Sequence, residues 1–283
     1  MGSPTKPLTN SIILFILGLL LSTCGTKLPS TRYPIFDWKA DKKLEGDSLV
    51  IDIPNPLNCP LRVTLNPKES LGSLIPMKDR ELVLSPLQHI RLAYAWPEGD
   101  TSMDIPLSFS GSLGDPRLAH PDTSFRYAFP FAHGRKSRII QGYFGSYSHY
   151  EGASKYALDF GMNVGDTIYA ARGGWVVSKV DQYTVGGPKP KFRPFGNLVF
   201  IYHEDGSIAQ YYHLQPNSVP VEVGDKVQMG QAIGRTGMTG YTDIPHLHFC
   251  VLVPDSVENV RGIPIQFKNV AASTLKKGMW VSH

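Results

Sequence analysis

His246-Leu247-His248-Phe249-Cys250-Val251-Leu252 is an apolar run that carries two imidazoles at alternate positions. In an extended strand, side chains two positions apart leave the same face. The spacing therefore predicts both histidines on one wall of a pocket, with Leu247 and Phe249 packing behind. Taken alone, such a pair is more readily two unrelated polar positions, so the segments around it decide its meaning. Upstream stand the apolar runs Thr167 to Ala170, Trp175 to Val180, Asn197 to His203 and Ile208 to His213. None carries a sustained helical period, so the region after Phe125 reads as mostly strand with few helices.

Further upstream, from Ile35 to Asp115, Ser48 to Ile53, Leu61 to Leu65, Glu81 to Leu84, Ile90 to Trp96 and Ile105 to Phe109 alternate between apolar and polar residues. They are separated by Pro, Asn and Gly. Alternation broken at this spacing predicts a small antiparallel β-sandwich over 35–118, without a catalytic cluster of its own. Asp115-Pro116 to Thr123 reads as the connection to a second, chemistry-bearing domain over 125–283. The fold class expected is mainly β, and 27 Gly with 23 Pro among 283 residues agree with a chain of short strands and turns.

The N-terminus reads as an address. Ile12 to Leu21 is apolar but only half the length of a membrane-crossing helix, and with Lys6 before it and small residues after, it reads as a secretory signal over 1–23. Leu21-Ser22-Thr23-Cys24 resembles a bacterial lipobox, with Thr23 where Gly, Ala or Ser is usual. The resemblance implies a lipid on Cys24, a tether over 24–34 that should be mobile, and a chain exported to the cell envelope and held on a membrane. A formal charge of +4 is too small for the dense basic face of a nucleic-acid binder. Three cysteines cannot make a disulfide framework, and Cys59 and Cys250 are expected as separate thiols.

The histidine pair keeps particular company. Asp159 is the single charge within Tyr156-Ala157-Leu158-Asp159-Phe160-Gly161, and a carboxylate buried in such a strand must be paired or bound to a cation. His149 precedes it, and His213 ends the strand containing Tyr211. A His, this Asp and a second His make a three-donor set for Zn²⁺ that leaves a fourth position for water.

In this order, His149 with Asp159, Tyr211-x-His213-Leu214 and His246-x-His248 resemble the signature of the lysostaphin-type (LytM) zinc metalloendopeptidases, which cut peptidoglycan peptides. Gly165 to Val177, Val223 to Val227, Gly230 to Gly234 and Thr236 to Gly240 are similar to further segments of that family. The resemblance spans about Phe125 to Pro254. It implies that His149, Asp159 and His248 bind Zn²⁺ and that His213 and His246 are the catalytic histidines that do not. It departs from the family in one place: nine residues, Tyr150 to Leu158, separate His149 from Asp159 where three are usual, with His133 the nearby alternative to His149. The implied activity is hydrolysis of cross-bridge or stem peptides of peptidoglycan. Two alternatives remain open: a non-catalytic module that binds the wall or activates another hydrolase, and a peptidase of extracellular proteins. The role of the sandwich is also open, as a spacer, a positioning module or an occluding domain.

The remaining candidates carry plainer expectations. His203, before the turn Glu204-Asp205-Gly206, is expected to be structural, as is His89; His120 and His283 are expected in a loop and a tail. Tyr143, Phe144 and Tyr147 fit either a groove or a core. The insertion Gly186 to Gly196, with three cations, reads as a solvated loop with the alternative that it borders the groove.

Overall fold

The computed structural model describes residues 28–96, 105–150, 152–256 and 259–283. The segment expected to be a secretory signal and Cys24 lie outside the described residues. No helix among the described residues is long and apolar enough to cross a membrane. The strands of the first part are β1 (Asp41–Glu45), β2 (Ser48–Pro54), β3 (Leu61–Pro67), β4 (Glu81–Leu84), β5 (His89–Ala95) and β6 (Leu107–Leu113). They form two three-stranded antiparallel sheets, β1-β2-β5 and β4-β3-β6. Period-two alternation is the reason: Leu61, Val63 and Leu65 are fully buried while Arg62 and Thr64 between them are not. Those side chains meet Leu49, Ile51, Ile53, Leu84 and Leu107 in a core of their own.

The second part opens with β7 (Arg126–Tyr127), β8 (Lys136–Gln141), β9 (Leu158–Gly161), β10 (Thr167–Tyr169), β11 (Gly174–Val180) and β12 (Gly186–Gly187). It continues through β13 (Leu198–Tyr202), β14 (Ile208–Tyr212), β15 (Lys226–Val227), β16 (Ala232–Arg235), β17 (Gly240–Tyr241) and β18 (His246–Asp255). It closes with β19 (Asn259–Gly262), β20 (Gln266–Phe267), β21 (Val270–Ala271) and β22 (Trp280–Ser282). A nine-stranded antiparallel sheet runs in the order β15-β11-β13-β14-β18-β9-β8-β22, with β19 also paired to β18. Among the described residues the helical turns are all of the 3₁₀ kind. The mainly β expectation is met.

The central strand β18 divides its residues between two surroundings. Leu247, Phe249 and Val251 enter the main core with Phe160, Tyr211 and Phe267. On the opposite face, Cys250 and Leu252 join Leu57, Cys59 and Leu113 of the first part in a shared cluster with Leu198, Phe200 and Ile208. Both cysteines are buried free thiols, as expected. Only this second face continues to His246 and His248, so the sandwich covers one end of the face that bears the histidines at the other.

The tether differs from its expected mobility in the part that is described. The Tyr33 N–H donates to the Tyr183 hydroxyl at 2.8 Å, the Arg32 guanidinium lies 4.0 Å from the Phe195 ring centroid, and Ser178 Oγ donates to the Ile35 carbonyl. These partners are distant in sequence, which is why composition alone suggested freedom. The connection after Asp115 is pinned as well: the His120 and Asp122 N–H groups donate to the Asp205 carbonyl and carboxylate at 2.8 and 2.9 Å. Arg172 bonds the same carboxylate at 2.6 Å. Burial opposes ionisation of Asp205, but bonds from Ser207, the Asp122 N–H and Arg172 hold its carboxyl down to about 2.

Candidate metal centre

Strand pairing delivers three donors to one point. In the β18–β9 register His248 stands opposite Asp159, and in the β9–β8 register Asp159 stands opposite Gln141. Asp159 Oδ1 lies 3.0 Å from His248 Nδ1 and 3.2 Å from His149 Nε2, and the two imidazole nitrogens are 3.2 Å apart. All three residues are buried. A tetrahedral zinc ion with bonds of about 2.0–2.1 Å needs donor atoms roughly 3.3 Å apart, so this triangle is the right size. Its composition, two imidazoles and one carboxylate, is that of a catalytic zinc centre. The donor set fits the ion.

His149 reaches the centre despite the long interval. The Gly152–Tyr156 3₁₀ turn takes up the extra residues and returns the chain to β9. The His149 N–H donates to the Gly145 carbonyl at 2.9 Å, and its Nδ1–H to the Gly142 carbonyl at 3.0 Å, which leaves the Nε2 lone pair beside Asp159 available as a metal ligand. His133 is elsewhere, stacked on His283 with ring centroids 4.0 Å apart.

The other two histidines stand beside the triangle. His246 Nε2 is 3.7 Å from Asp159 Oδ1, and its Nδ1–H donates to the Ile244 carbonyl at 2.8 Å. The His213 ring centroid lies 4.7 Å from that of His246, and His213 Nδ1–H donates to the Thr239 carbonyl at 2.7 Å. Each backbone bond fixes a tautomer with the proton on Nδ1, so both Nε2 atoms keep a free lone pair. Burial, helped by the nearby His246 and His248 rings, pushes His213 down to about 3 and keeps it neutral. Burial alone would raise the Asp159 carboxyl, yet His246, His149 and His248 around it hold it well below the usual carboxylate range.

His213 is one of few non-glycine residues with positive φ, at 68°, a strained conformation that its neighbours must enforce. Asn197 does much of this. Its Nδ2 donates to the Tyr183 and Leu214 carbonyls at 2.8 and 3.3 Å, and its Oδ1 accepts from the Tyr183 N–H at 2.9 Å. The Asn197 N–H donates to Thr239 Oγ1 at 2.9 Å, and that hydroxyl donates onward to the Leu214 carbonyl at 2.8 Å. Gly240, at φ 81°, permits the close approach: a Cβ there would stand 2.8 Å from Gly196 Cα and 3.6 Å from His213 Nδ1.

Gln141 performs a parallel task on the other side. Its Nε2 donates to Asp159 Oδ2 at 3.1 Å and to Ser148 Oγ at 2.9 Å, while Oε1 accepts from the Tyr147 N–H at 2.9 Å. One side chain thus orients the carboxylate and the loop that carries His149. Sequence reading missed Gln141 and Asn197, because nothing local marks a buried amide whose partners come from other strands. Thr239 lay within a segment already singled out, but without a role.

Grooves leave the centre on two sides. One, of about 330 Å³, is lined by Tyr150, Arg193, Gln210, Tyr212, His213 and His248. The other, of about 640 Å³, is lined in part by Gln141, Tyr147, Asp159, Tyr241, His246 and Lys276. Tyr147 and Tyr241 stack between them with centroids 5.2 Å apart and planes at 13°. The insertion borders the groove: Phe192 and Phe195 are buried, while Arg193 lies 5.2 Å over the Tyr241 ring. Tyr143 is core, its hydroxyl accepting from the Ile265 N–H at 3.0 Å, whereas Phe144 is exposed.

Comparison with known proteins bears on this site. Residues 153–260 match Peptidase family M23. The span includes Asp159, His213, His246 and His248 and begins just after His149. Glycyl-glycine endopeptidase ALE-1 of Staphylococcus capitis is 36% identical over 117 residues, which cover 41% of this chain and 29% of that protein. Peptidoglycan DD-endopeptidase ShyC of Vibrio cholerae is 35% identical over 108 residues, covering 38% of this chain and 22% of the relative. The chain therefore spans less than a third of the length of these curated relatives. The crystallised catalytic domain of lysostaphin from Staphylococcus simulans aligns with 45% of this chain and 87% of that domain, at 28% identity and a TM-score of 0.32.

Proposed function

We propose that this chain, which carries a peptidase family M23 domain over residues 153–260, is a zinc-dependent endopeptidase that hydrolyses peptide bonds in bacterial peptidoglycan. The observation that carries the reading is the convergence of His149 Nε2, Asp159 Oδ1 and His248 Nδ1 within 3.2 Å of one another, beside two imidazoles that are free to exchange protons. Its relatives ALE-1 and ShyC, named as a glycyl-glycine endopeptidase and a peptidoglycan DD-endopeptidase, support the substrate class.

His149, Asp159 and His248 would hold the ion. When bound, zinc polarises a scissile carbonyl and lowers the pKa of water toward neutrality. Gln141 keeps Asp159 turned toward the two imidazoles through its bond to Oδ2. His246 and His213 keep their Nδ1 protons on backbone carbonyls, so an Nε2 atom accepts the proton of the attacking water and returns one to the leaving amine. The partner imidazole, its Nε2 likewise unprotonated, accepts a second hydrogen bond from that water and orients it. Burial of His213 keeps it neutral and disfavours its cation, which suits it to orienting the water rather than to taking up its proton.

In this reading residues 1–23 direct export, Cys24 bears a lipid that holds the protein in the cell envelope, and residues 35–118 form a module distinct from the peptidase over 125–283. Incubating the protein with purified peptidoglycan tests the activity: zinc-loaded protein should release new amino termini, and a chelator should stop it. No release at any pH between 5 and 9 under zinc-replete conditions would defeat the reading. Metabolic labelling with a fatty acid tests the anchor, since Cys24→Ser should abolish incorporation.

A further inference from the structure

The two grooves differ in charge. Arg138, Lys276 and Lys277 line the larger one, against a single surface anion, Asp243. Asp159 also lines it, but within the donor triangle, 3.0 Å from His248 Nδ1 and 3.2 Å from His149 Nε2. Among the described residues, Arg193 is the only charged side chain other than histidine lining the smaller groove. Arg138, Lys276 and Lys277 are exposed, and among the described residues none of the three forms an ion pair. Three unpaired cations against one surface anion on a concave wall constitute an unfilled demand for negative charge.

The wall is built to hold them. Lys276 and Lys277 sit in a turn closed by a bond from the Met279 N–H to the Lys276 carbonyl at 3.1 Å. That turn is fastened to β8 by Gly278 N–H to the Ile139 carbonyl and Ile139 N–H to the Met279 carbonyl, both 2.8 Å. It also abuts Gly142, where a Cβ would stand 2.5 Å from the Leu275 carbonyl oxygen. Arg138 is on the same strand, three residues before Gln141, the residue that bonds Asp159. At about 3.3 Å per strand residue the cations begin roughly 10 Å from the metal donors. An extended peptide covers that distance in two or three residues.

We infer that Arg138, Lys276 and Lys277 form a carboxylate-binding subsite that selects acidic peptides over oligoglycine, placing a substrate carboxylate two or three residues from the scissile bond. This rests on the endopeptidase reading and deepens it by choosing between the cross-bridge and stem-peptide substrates: a glycine bridge offers these cations nothing, whereas a stem peptide with free carboxylates does. Arg supplies a fork for one carboxylate, and the two ammonium groups add charge that needs no fixed geometry.

The test uses hexaglycine, hexaglycine with one Glu placed one to three residues from the central bond, and the matching Gln peptides. Hydrolysis is followed with the zinc-loaded full chain, and binding of fluorescent versions with the zinc-loaded H246A protein. At low ionic strength a Glu two or three residues away should bind roughly tenfold more tightly than Gln. The ratio should fall to about one at roughly 0.5 M salt and in an R138Q/K276Q/K277Q variant, whose fold is checked by circular dichroism. Equal binding of Glu and Gln peptides at low salt, or a preference retained by the triple variant, would overturn the subsite. Hydrolysis without a carboxylate preference would overturn the subsite and leave the endopeptidase standing; a salt-sensitive preference without hydrolysis would do the reverse.

Discussion

One face of β18 carries His246 and His248 at its start and Cys250 and Leu252 two and four residues on, all four buried, yet the two ends do opposite things. At the first end, the side chains meet a carboxylate and other imidazoles. At the second they meet Leu57, Cys59 and Leu113 of the sandwich. The strand supplies the same geometry to both, and the neighbours decide the chemistry. Covering half of a sheet face with an apolar partner leaves the other half as a walled groove, where water is scarce and charges interact strongly.

Breaking the polar end should have the largest effect. His248→Ala is expected to lower endopeptidase activity about a thousandfold or more and to abolish stoichiometric zinc, because a donor is lost. Thermal unfolding should show a folded protein. His213→Ala and His246→Ala should lose activity to a comparable degree but retain zinc, measured by elemental analysis. A variant of either that lost its zinc would count against their separation from the donors.

Breaking the apolar end should do the converse. Leu252→Ala removes a side chain buried between the sandwich and the sheet and is expected to cost about 2–5 kcal/mol of stability. Below its unfolding transition the variant should keep zinc and activity. Denaturant titration checks the first expectation and an activity assay the second.

A buried imidazole outside the groove sharpens the contrast. His203 Nδ1 donates to the Gly173 carbonyl at 2.8 Å, Nε2 is buried without a hydrogen-bond partner, and burial pushes the group down to about 4. Between that value and its unfolded pKa of about 6.5, the unfolded chain binds a proton that the folded one refuses. Stability contributed here is complete above pH 6.5 and drains away as pH falls toward 4, by about 3 kcal/mol. His203→Gln should flatten the stability profile in that window. Asp205, held at about 2, adds a further loss only below its unfolded value of about 3.9.

The smallest expected effect concerns the residue behind the carboxylate. Gln141→Ala should weaken zinc affinity or activity by about 10–100-fold, the usual range for a partner that orients a metal ligand. Gln141→Glu would place a second negative charge against Asp159 Oδ2, and competition with a chromophoric chelator would read any change in affinity.

Much of this was legible in the sequence for a simple reason. Alternation is a local signal, so Leu61-Arg62-Val63-Thr64-Leu65 announced its strand and its buried face. His246 and His248 likewise announced a shared wall, and His149, Asp159 and His213 came from an ordered resemblance. What stayed hidden depends on partners far away in the chain. The amides of Gln141 and Asn197 look like any polar residue until Asp159 of β9, and Tyr183 with Leu214, are placed beside them. Arg32 and Tyr33 look like linker until Phe195 and Tyr183 arrive. The charge of the larger groove was equally invisible, since Arg138 and the Lys276-Lys277 turn are joined through the β8–β22 pairing and the bonds of Gly278 and Met279 to Ile139.

Five side chains from two strands and two loops are held to serve one zinc ion. Anomalous scattering from crystals of the zinc-loaded protein, collected on both sides of the zinc absorption edge, tests it most directly. The account predicts one zinc per chain, coordinated by His149 Nε2, Asp159 Oδ1 and His248 Nδ1, with His213 and His246 nearby but not bound. Zinc ligated by a different set, or no anomalous peak between these three residues at saturating zinc, would contradict it.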